Sequence, residues 1–142
     1  MDYFTVICSI IIYVENRLKT DISYKELEKE TGFSIAHIRD IFVKKTEKPL
    51  SRYILERKIL NAAFEISHTK ETLLNIAEKY NFKNPDTFTR AFKRITGLTP
   101  SEFRKNKITV GRIKLCAGVY GVGFTANEIQ NMKGNKKYEW KN

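Results

Sequence analysis

The sequence has little cysteine, proline and tryptophan, and the shortage of cysteine excludes two classes of protein. Of its 142 residues, two are cysteine, three are proline and one is tryptophan. Cys8 and Cys116 lie far apart, outside any C-x-x-C or histidine-spaced pattern, so neither a disulfide framework nor a zinc site is indicated. We expect both to be reduced thiols in a cytoplasmic protein.

Long hydrophobic runs are also lacking. The apolar stretch over residues 4–14 is interrupted by Thr5 and Ser9 and is followed at once by Glu15, which makes it too short to span a bilayer. It has neither the basic region nor the small-residue cleavage site of a signal peptide. We therefore expect no membrane segment and no export.

Patterns that carry enzyme chemistry are absent from the sequence. The two histidines, His37 and His68, show no adjacent nucleophile and no metal-ligand spacing. Neither a phosphate-binding loop nor a dinucleotide-binding motif occurs, and the glycine-rich residues 118–123 lack the strand-to-helix context that such a loop needs. We expect no catalytic residue, no metal and no cofactor.

What the chain has in excess is positive charge. Its 26 Lys and Arg against 16 Asp and Glu give a formal charge of +10 and an isoelectric point near 9.6. This balance favours a polyanionic partner, with nucleic acid ahead of a membrane surface or an acidic protein. The length suffices for one ordinary domain, or for two very small ones that share a connector.

Periodicity predicts a first helix over about residues 4–19. One face carries Ile7, Ile10, Ile11, Val14 and Leu18 at helical spacing. Further apolar residues surround the rest of the helix: Phe4, Val6, Cys8, Ile12 and Tyr13. Either another segment covers this second face, or it is an exposed apolar patch.

Helix caps then predict two helix-turn-helix units. Ser23 and Glu26 form a capping-box pattern, Gly32 ends the helix, and Ser34 caps the next one. After a long helix over about residues 50–67, the pattern returns: Thr72 caps one short helix, the pair Asn84-Pro85 starts another, Gly97 ends it, and a last turn begins at Ser101.

The two halves repeat in sequence. The matched pairs are Leu27 with Ile76, Gly32 with Asn81 and Phe33 with Phe82 at an offset of 49, and Phe42 with Phe92, Thr46 with Thr96, Ser51 with Ser101 and Tyr53 with Phe103 at an offset of 50. The predicted fold is all-α: a helix-turn-helix subdomain over 1–49, a linker helix over 50–67, a second subdomain over 68–104 and an extension over 105–142. For the extension we expect strands over residues 112–115 and 119–122 that form a β-hairpin and pack on the first helix. The alternatives are that the extension is disordered or is a remnant of a larger module.

In a helix-turn-helix, base-reading side chains come from the first two turns of the second helix. The predicted base-reading residues are Ala36, Arg39, Asp40, Asp86, Thr87, Thr89 and Arg90. Arg39 and Arg90 are suited to guanine, an aspartate to cytosine N4, and Ala36 or Thr89 to a thymine methyl group. Asp40 has the alternative role of orienting Arg39.

Contacts to the DNA backbone are expected from polar and basic residues around the same helices. They are Ser34, His37, Lys44, Lys45, Arg52, Lys83, Asn84, Lys93 and Arg94. The aromatic residues that recur at matched places are instead expected in the core: Phe33, Phe42, Tyr53, Phe82, Phe88, Phe92 and Phe103.

The second half resembles the signature of the AraC/XylS family of bacterial transcription regulators. The residues that carry the resemblance are Lys58, Ile59, Ala62, Ile66, Leu73, Ile76, Ala77, Asn81, Phe82, Phe88, Phe92, Gly97, Thr99 and Pro100. The similarity covers about residues 5–104, and the layout is most like the small stress regulators of the MarA and SoxS type. It implies a monomer that places two recognition helices in successive major grooves of double-stranded DNA and contacts RNA polymerase. Effector domains of larger members do not fit, so we expect activity to follow expression level.

Four residues depart from the family pattern. Glu28 replaces a small residue that packs against the recognition helix, a role that Ala77 keeps in the second unit, while Asn81 and Glu47 each replace a common glycine. Asp40, at a base-reading position of the small members, puts the usual contact there in doubt.

Three functions remain open from the sequence. A sequence-specific regulator, more specifically an activator, is favoured. The alternatives are an architectural DNA-binding protein without sequence preference and a protein-interaction module that docks through the apolar first helix and the extension.

Overall fold

The computed structural model describes residues 3–107, 109–110 and 137–138. The helices are α1 (Tyr3–Glu15), α2 (Tyr24–Thr31), α3 (Ile35–Thr46), α4 (Leu50–His68), α5 (Leu73–Lys79), α6 (Pro85–Thr96) and α7 (Pro100–Lys105). Two short strands, β1 (Thr109–Val110) and β2 (Lys137–Tyr138), pair in parallel with Thr109 opposite Lys137. The all-α prediction is confirmed. The predicted hairpin over 112–122 and the packing of the extension on α1 lie outside the described residues.

The internal repeat is visible in the backbone as well as in the sequence. Gly32 and Asn81 end the matched helices α2 and α5 with positive φ angles of 77° and 65°. After α3 and α6, Glu47 and Gly97 take φ angles of 60° and 82°. At each of the two matched positions, the chain makes the same left-handed turn, with glycine in one unit and another residue in the other. A positive φ angle costs the non-glycine residue more conformational free energy than it costs glycine.

Matched side chains also make matched contacts. The hydroxyl groups of Thr46 and Thr96 donate to the carbonyl oxygens of Phe42 and Phe92 at 2.7 and 2.8 Å. The ring centroids of Phe42 and Tyr53 lie 5.3 Å apart, and those of Phe92 and Phe103 lie 5.4 Å apart. The two units are thus built around equivalent aromatic pairs.

Helix α1 is shorter than predicted. It ends at Glu15, and the amide of Arg17 then donates to the carbonyl oxygen of Val14, a tighter turn than the α-helical one. Leu18 is nevertheless buried, because the turn keeps it on the core side. Periodicity thus identified the correct apolar residues but placed the helix end at residue 19, beyond its true position.

Part of the second face of α1 is covered, because Val6 and Tyr13 are both buried. The hydroxyl of Tyr13 donates to the Glu26 carboxylate at 2.7 Å and accepts from the Ser23 amide at 3.1 Å. Phe4 and Ile12 do lie on the second face, 54% and 47% exposed.

The same contacts correct the predicted capping box of α2. Ser23 is the N-cap and its side chain accepts from the Glu26 amide, as predicted. The amide of Ser23, however, donates to Tyr13, and the Glu26 carboxylate binds Tyr13 and Arg17. A complete capping box does occur at α7, where Thr99 and Glu102 bond reciprocally and the helix begins at Pro100, one residue before the predicted start.

The long helix α4 is the common support of both units. Helices α1, α2 and α3 pack on one another and α3 packs on α4. Helices α5 and α7 each pack on α6, and all three contact α4. Two charged residues of α4 are buried: Glu56, paired with Lys48 and Arg52, and Arg57, which donates to the Glu15 carboxylate at 2.8 Å. Among the described helices, none is long and apolar enough to cross a membrane.

Candidate nucleic-acid interface

The start of α6 is set by local chemistry. Asn84 is the N-cap and its side-chain oxygen accepts from the Asp86 amide at 2.7 Å, while Pro85, which has no amide proton to satisfy, occupies the first helical position. The helix ends at Gly97, whose amide donates to the Lys93 carbonyl oxygen. The sequence prediction for both ends of this helix is confirmed.

One face of α6 anchors the helix in the core. Phe88, Ala91, Phe92 and Ile95 are buried along it. The aromatic contact extends from Phe82 to Phe88 at 5.1 Å between centroids and from Phe88 to Phe92 at 5.7 Å. Rings packed in this way are not available for stacking on bases. The core assignment of the seven repeated aromatic residues is borne out, with Phe33 and Phe82 only partly buried.

The opposite face of α6 is exposed and polar. Asp86, Thr87 and Arg90 lie on it, and within the described residues the Arg90 guanidinium makes only a long contact of 3.4 Å with the Asp86 carbonyl oxygen. Thr89 differs from these, because it is half-buried and lines a crevice of about 120 Å³ with Leu73 and Ala77. The structure therefore brings three of the four predicted base-reading residues of this unit together on an open surface.

In the first unit, Ala36, Arg39 and Asp40 are exposed on α3. The guanidinium of Arg39 lies 5.0 Å from the centroid of the Tyr24 ring, and Asp40 pairs with Lys44 at 3.0 Å. The suggestion that Asp40 orients Arg39 is therefore wrong, since its carboxylate faces the next turn of its own helix.

Several of the residues predicted to contact the DNA backbone in the first unit already make contacts within the protein. Ser34 caps α3 by accepting from the His37 amide, and the half-buried His37 ring lies 5.0 Å from the Phe33 ring. Lys45 lies 5.5 Å from the Tyr3 ring, and Arg52 pairs with Glu56 at 2.8 Å.

The basic residues around α6 make fewer contacts within the protein than those of the first unit. Lys83, Lys93 and Arg94 are exposed and form no ion pair with the part of the chain that the structure describes. Because an uncommitted cation need not give up an internal partner to bind a phosphate, the second unit offers the more available positive charge.

A carboxylate lies at the start of α3. Glu28 accepts a hydrogen bond from the Ile35 amide at 2.8 Å, where Ala77 stands at the matched position of the second unit. The carboxylate charge complements the helix dipole, but it also occupies an amide that is then not free to bind another anion. Glu28, which departs from the family pattern, is thus hydrogen-bonded to the Ile35 amide. The sequence alone did not reveal this contact.

The described residues contain no group of three or more His, Cys, Asp or Glu side chains suited to a metal. His68 does have an adjacent hydroxyl, contrary to the sequence interpretation, because Ser67 Oγ lies 3.0 Å from its Nδ1. Both side chains also contact the Phe64 carbonyl oxygen, so the pair serves to satisfy the end of α4.

Comparison with known proteins agrees with this geometry. The helix-turn-helix domain family model matches residues 27–106. The TetD protein of transposon Tn10 from Escherichia coli is 36% identical over 104 residues, covering 73% of this chain and 75% of that protein. The multiple antibiotic resistance protein MarA of Escherichia coli is 32% identical over 96 residues, covering 68% and 76%. The transcriptional activator AarP of Providencia stuartii is 31% identical over 100 residues, covering 70% and 74%.

Among solved structures, an AraC-type transcriptional regulator from Chromobacterium violaceum superposes with a TM-score of 0.69. The two share 18% sequence identity, and the match covers 76% of this chain and 96% of that one. At this identity the likeness supports the fold alone.

Proposed function

The chain belongs to the AraC/XylS family of helix-turn-helix, DNA-binding transcription regulators, and on this premise we propose that it is an activator that reads two successive major-groove segments. The observation that carries the proposal is the duplicated unit, in which α3 and α6 each bury one face and expose the other. A helix of this kind can enter a major groove with its first two turns against the bases.

The base-reading surface comprises both exposed helix faces. Its proposed members remain Ala36, Arg39 and Asp40 on α3, and Asp86, Thr87, Thr89 and Arg90 on α6. Arg90 is the foremost of them, because its guanidinium is exposed and lacks a carboxylate partner within the described residues. A free guanidinium can donate two parallel hydrogen bonds to guanine O6 and N7.

The backbone contacts are proposed to come mainly from the second unit. Lys83, Lys93 and Arg94 surround α6 and carry uncommitted charge, with Asn84 at the helix start. Ser34, His37, Lys44, Lys45 and Arg52 would add contacts from the first unit. Phosphate contacts of this kind fix the position of the protein on the duplex without carrying sequence information.

Activation, subunit state and location complete the proposal. The relative AarP is named as a transcriptional activator, and the shared domain supports the same sign of regulation here. Two recognition helices in one chain allow binding as a monomer, with RNA polymerase as the protein partner. A protein that binds DNA and polymerase acts in the cytoplasm, which is the location proposed here.

Substitution of Arg90 by alanine tests base reading directly. In a quantitative binding assay on single-base variants of the selected site, Arg90→Ala should cost about 1 to 3 kcal/mol and relax the preference at one base pair. Lys93→Ala, three residues along the same helix, is the matched control. It should weaken binding equally for all sequences and reduce the slope of log affinity against log salt by about 1. A uniform loss from Arg90→Ala, without any relaxed position, would show that Arg90 contacts only the backbone.

A further inference from the structure

The loop between α1 and α2 touches the turn of the second helix-turn-helix unit. Asp21 Oδ1 accepts a hydrogen bond from Asn81 Nδ2 at 2.5 Å, although the two residues are 60 positions apart. The ammonium group of Lys19 lies 5.6 Å from the centroid of the Tyr80 ring. Two residues of the loop region, two positions apart, thus contact two consecutive residues of the turn.

Asn81 supplies more than the backbone conformation of this turn. Its φ angle is 65°, and the matched residue of the first unit is Gly32 with a φ angle of 77°. Glycine takes this conformation at lower cost than asparagine. The carboxamide is therefore not required for the turn itself, and its contact in the structure is with Asp21.

Tyr80, the residue that Lys19 approaches, is fixed in place by its contacts with α4. Its ring is buried, and its hydroxyl is hydrogen-bonded to Glu65 of α4. Burial opposes ionisation of Glu65, but the hydrogen bonds from Tyr80 and Lys79 outweigh it and hold the pKa of Glu65 below its ordinary value. The Lys19 ammonium therefore approaches a ring whose position is fixed by α4.

Packing alone does not fill the space between the units here. A cavity of about 380 Å³ lies beside the contact, lined by residues that include Leu18, Asn61, Phe64 and Tyr80. The main helix contacts of each unit are internal or with α4, as described above. The loop contacts consequently add a direct link between the two units, beside the support that both share in α4.

We propose that Asp21 and Asn81 are positioning residues, which hold the two recognition helices at a fixed separation and so set the spacing between the two DNA segments. The inference rests on the proposed function, because spacing has meaning only for a protein that reads two segments. If the two units are rigidly linked, a base pair inserted between the two DNA segments lowers the binding affinity strongly. Without the link, rotation about the α4 support accommodates the insertion more readily.

The test compares affinities for the selected site with those for sites that carry one base pair more or one fewer between the two segments. In the wild-type protein the selected spacing is preferred. Asn81→Gly keeps the positive φ angle and removes only the carboxamide, so the thermal midpoint should not fall. The ratio of affinities for correct and altered spacing should drop about three- to tenfold, which is the range that one typical, solvent-exposed hydrogen bond supplies.

Asp21→Ala removes the other partner and should lower the ratio by the same factor. Gly32→Asn is the matched control, since it places asparagine in the equivalent turn of the first unit, where an added Cβ meets nothing within 4 Å. It should leave the spacing ratio unchanged. An unchanged ratio in both Asn81→Gly and Asp21→Ala overturns the positioning role alone, whereas failure of the wild-type protein to select any two-part site overturns the proposed function itself.

Discussion

Phe92→Ala is expected to lower the free energy of unfolding by about 3 to 5 kcal/mol. The Phe92 side chain is fully buried and lies between the rings of Phe88 and Phe103. Its removal takes away apolar burial and leaves a cavity that helices anchored on α4 cannot close. Small domains have only about 5 to 15 kcal/mol of stability in total, so we expect DNA binding by the second unit to be lost near physiological temperature.

Urea unfolding followed by circular dichroism measures this loss. Leu74→Ala serves as the control in the same unit, because Leu74 is 52% exposed and its truncation should change stability by no more than about 0.5 kcal/mol. A loss below about 1 kcal/mol for Phe92→Ala would mean that Phe92 is not the anchor of the recognition helix.

Arg57→Met is expected to lower the free energy of unfolding by about 3 to 5 kcal/mol. This loss is as large as that expected for Phe92→Ala, but its cause is an unpaired buried charge. Arg57 and Glu15 form a buried ion pair between α4 and the end of α1, with side chains 5% and 13% exposed. The pair lies beside the buried hydroxyl of Tyr53, whose pKa is raised above its ordinary value by burial. Removing Arg57 leaves the Glu15 carboxylate in this poorly solvated place without a counter-charge.

The double substitution Glu15→Leu with Arg57→Met separates the lost charge balance from lost packing. Because replacing a whole buried pair by apolar side chains is often neutral, the double variant should be more stable than Arg57→Met alone. For comparison, Lys44→Ala breaks the exposed pair with Asp40 and should cost no more than about 0.5 kcal/mol. Equal stability of the single and double variants would contradict the role of the buried charge.

The features that the sequence predicted well depend on neighbouring residues. Ser34, Thr72 and Asn84 cap helices because a short polar side chain before an apolar run can accept an orphan amide two or three residues later. The buried face of α6 follows in the same way from the spacing of its phenylalanines. Repetition of both patterns in the two halves was enough to predict two helix-turn-helix units.

The features that the sequence missed depend on residues far apart in the chain. Nothing near Tyr13 indicated that its hydroxyl would replace Glu26 at the Ser23 amide, and nothing near Asn81 indicated Asp21. These contacts arise only after the helices pack. The pair of Asp40 with Lys44 is different, because the spacing of four residues on one helix is itself a signal for an ion pair.

For the candidate site, the sequence identified the helices and their outward faces but not the state of each side chain. Thr89 is half-buried, and Arg39 lies against Tyr24, because neighbouring helices determine how much of each face is covered. The availability of Arg90, Lys93 and Arg94 likewise could not be read from spacing. Their roles toward bases and phosphates remain predictions for the substitutions described above.

The central claim is that one chain reads two DNA segments through α3 and α6. Selection of binding sites from a random double-stranded DNA pool by the full-length wild-type protein tests it most directly. We predict enrichment of one asymmetric motif of about 20 base pairs, with two conserved segments about one helical turn apart, bound by a single chain. A pool without any enriched motif, or a symmetric motif bound by two chains, would contradict this account.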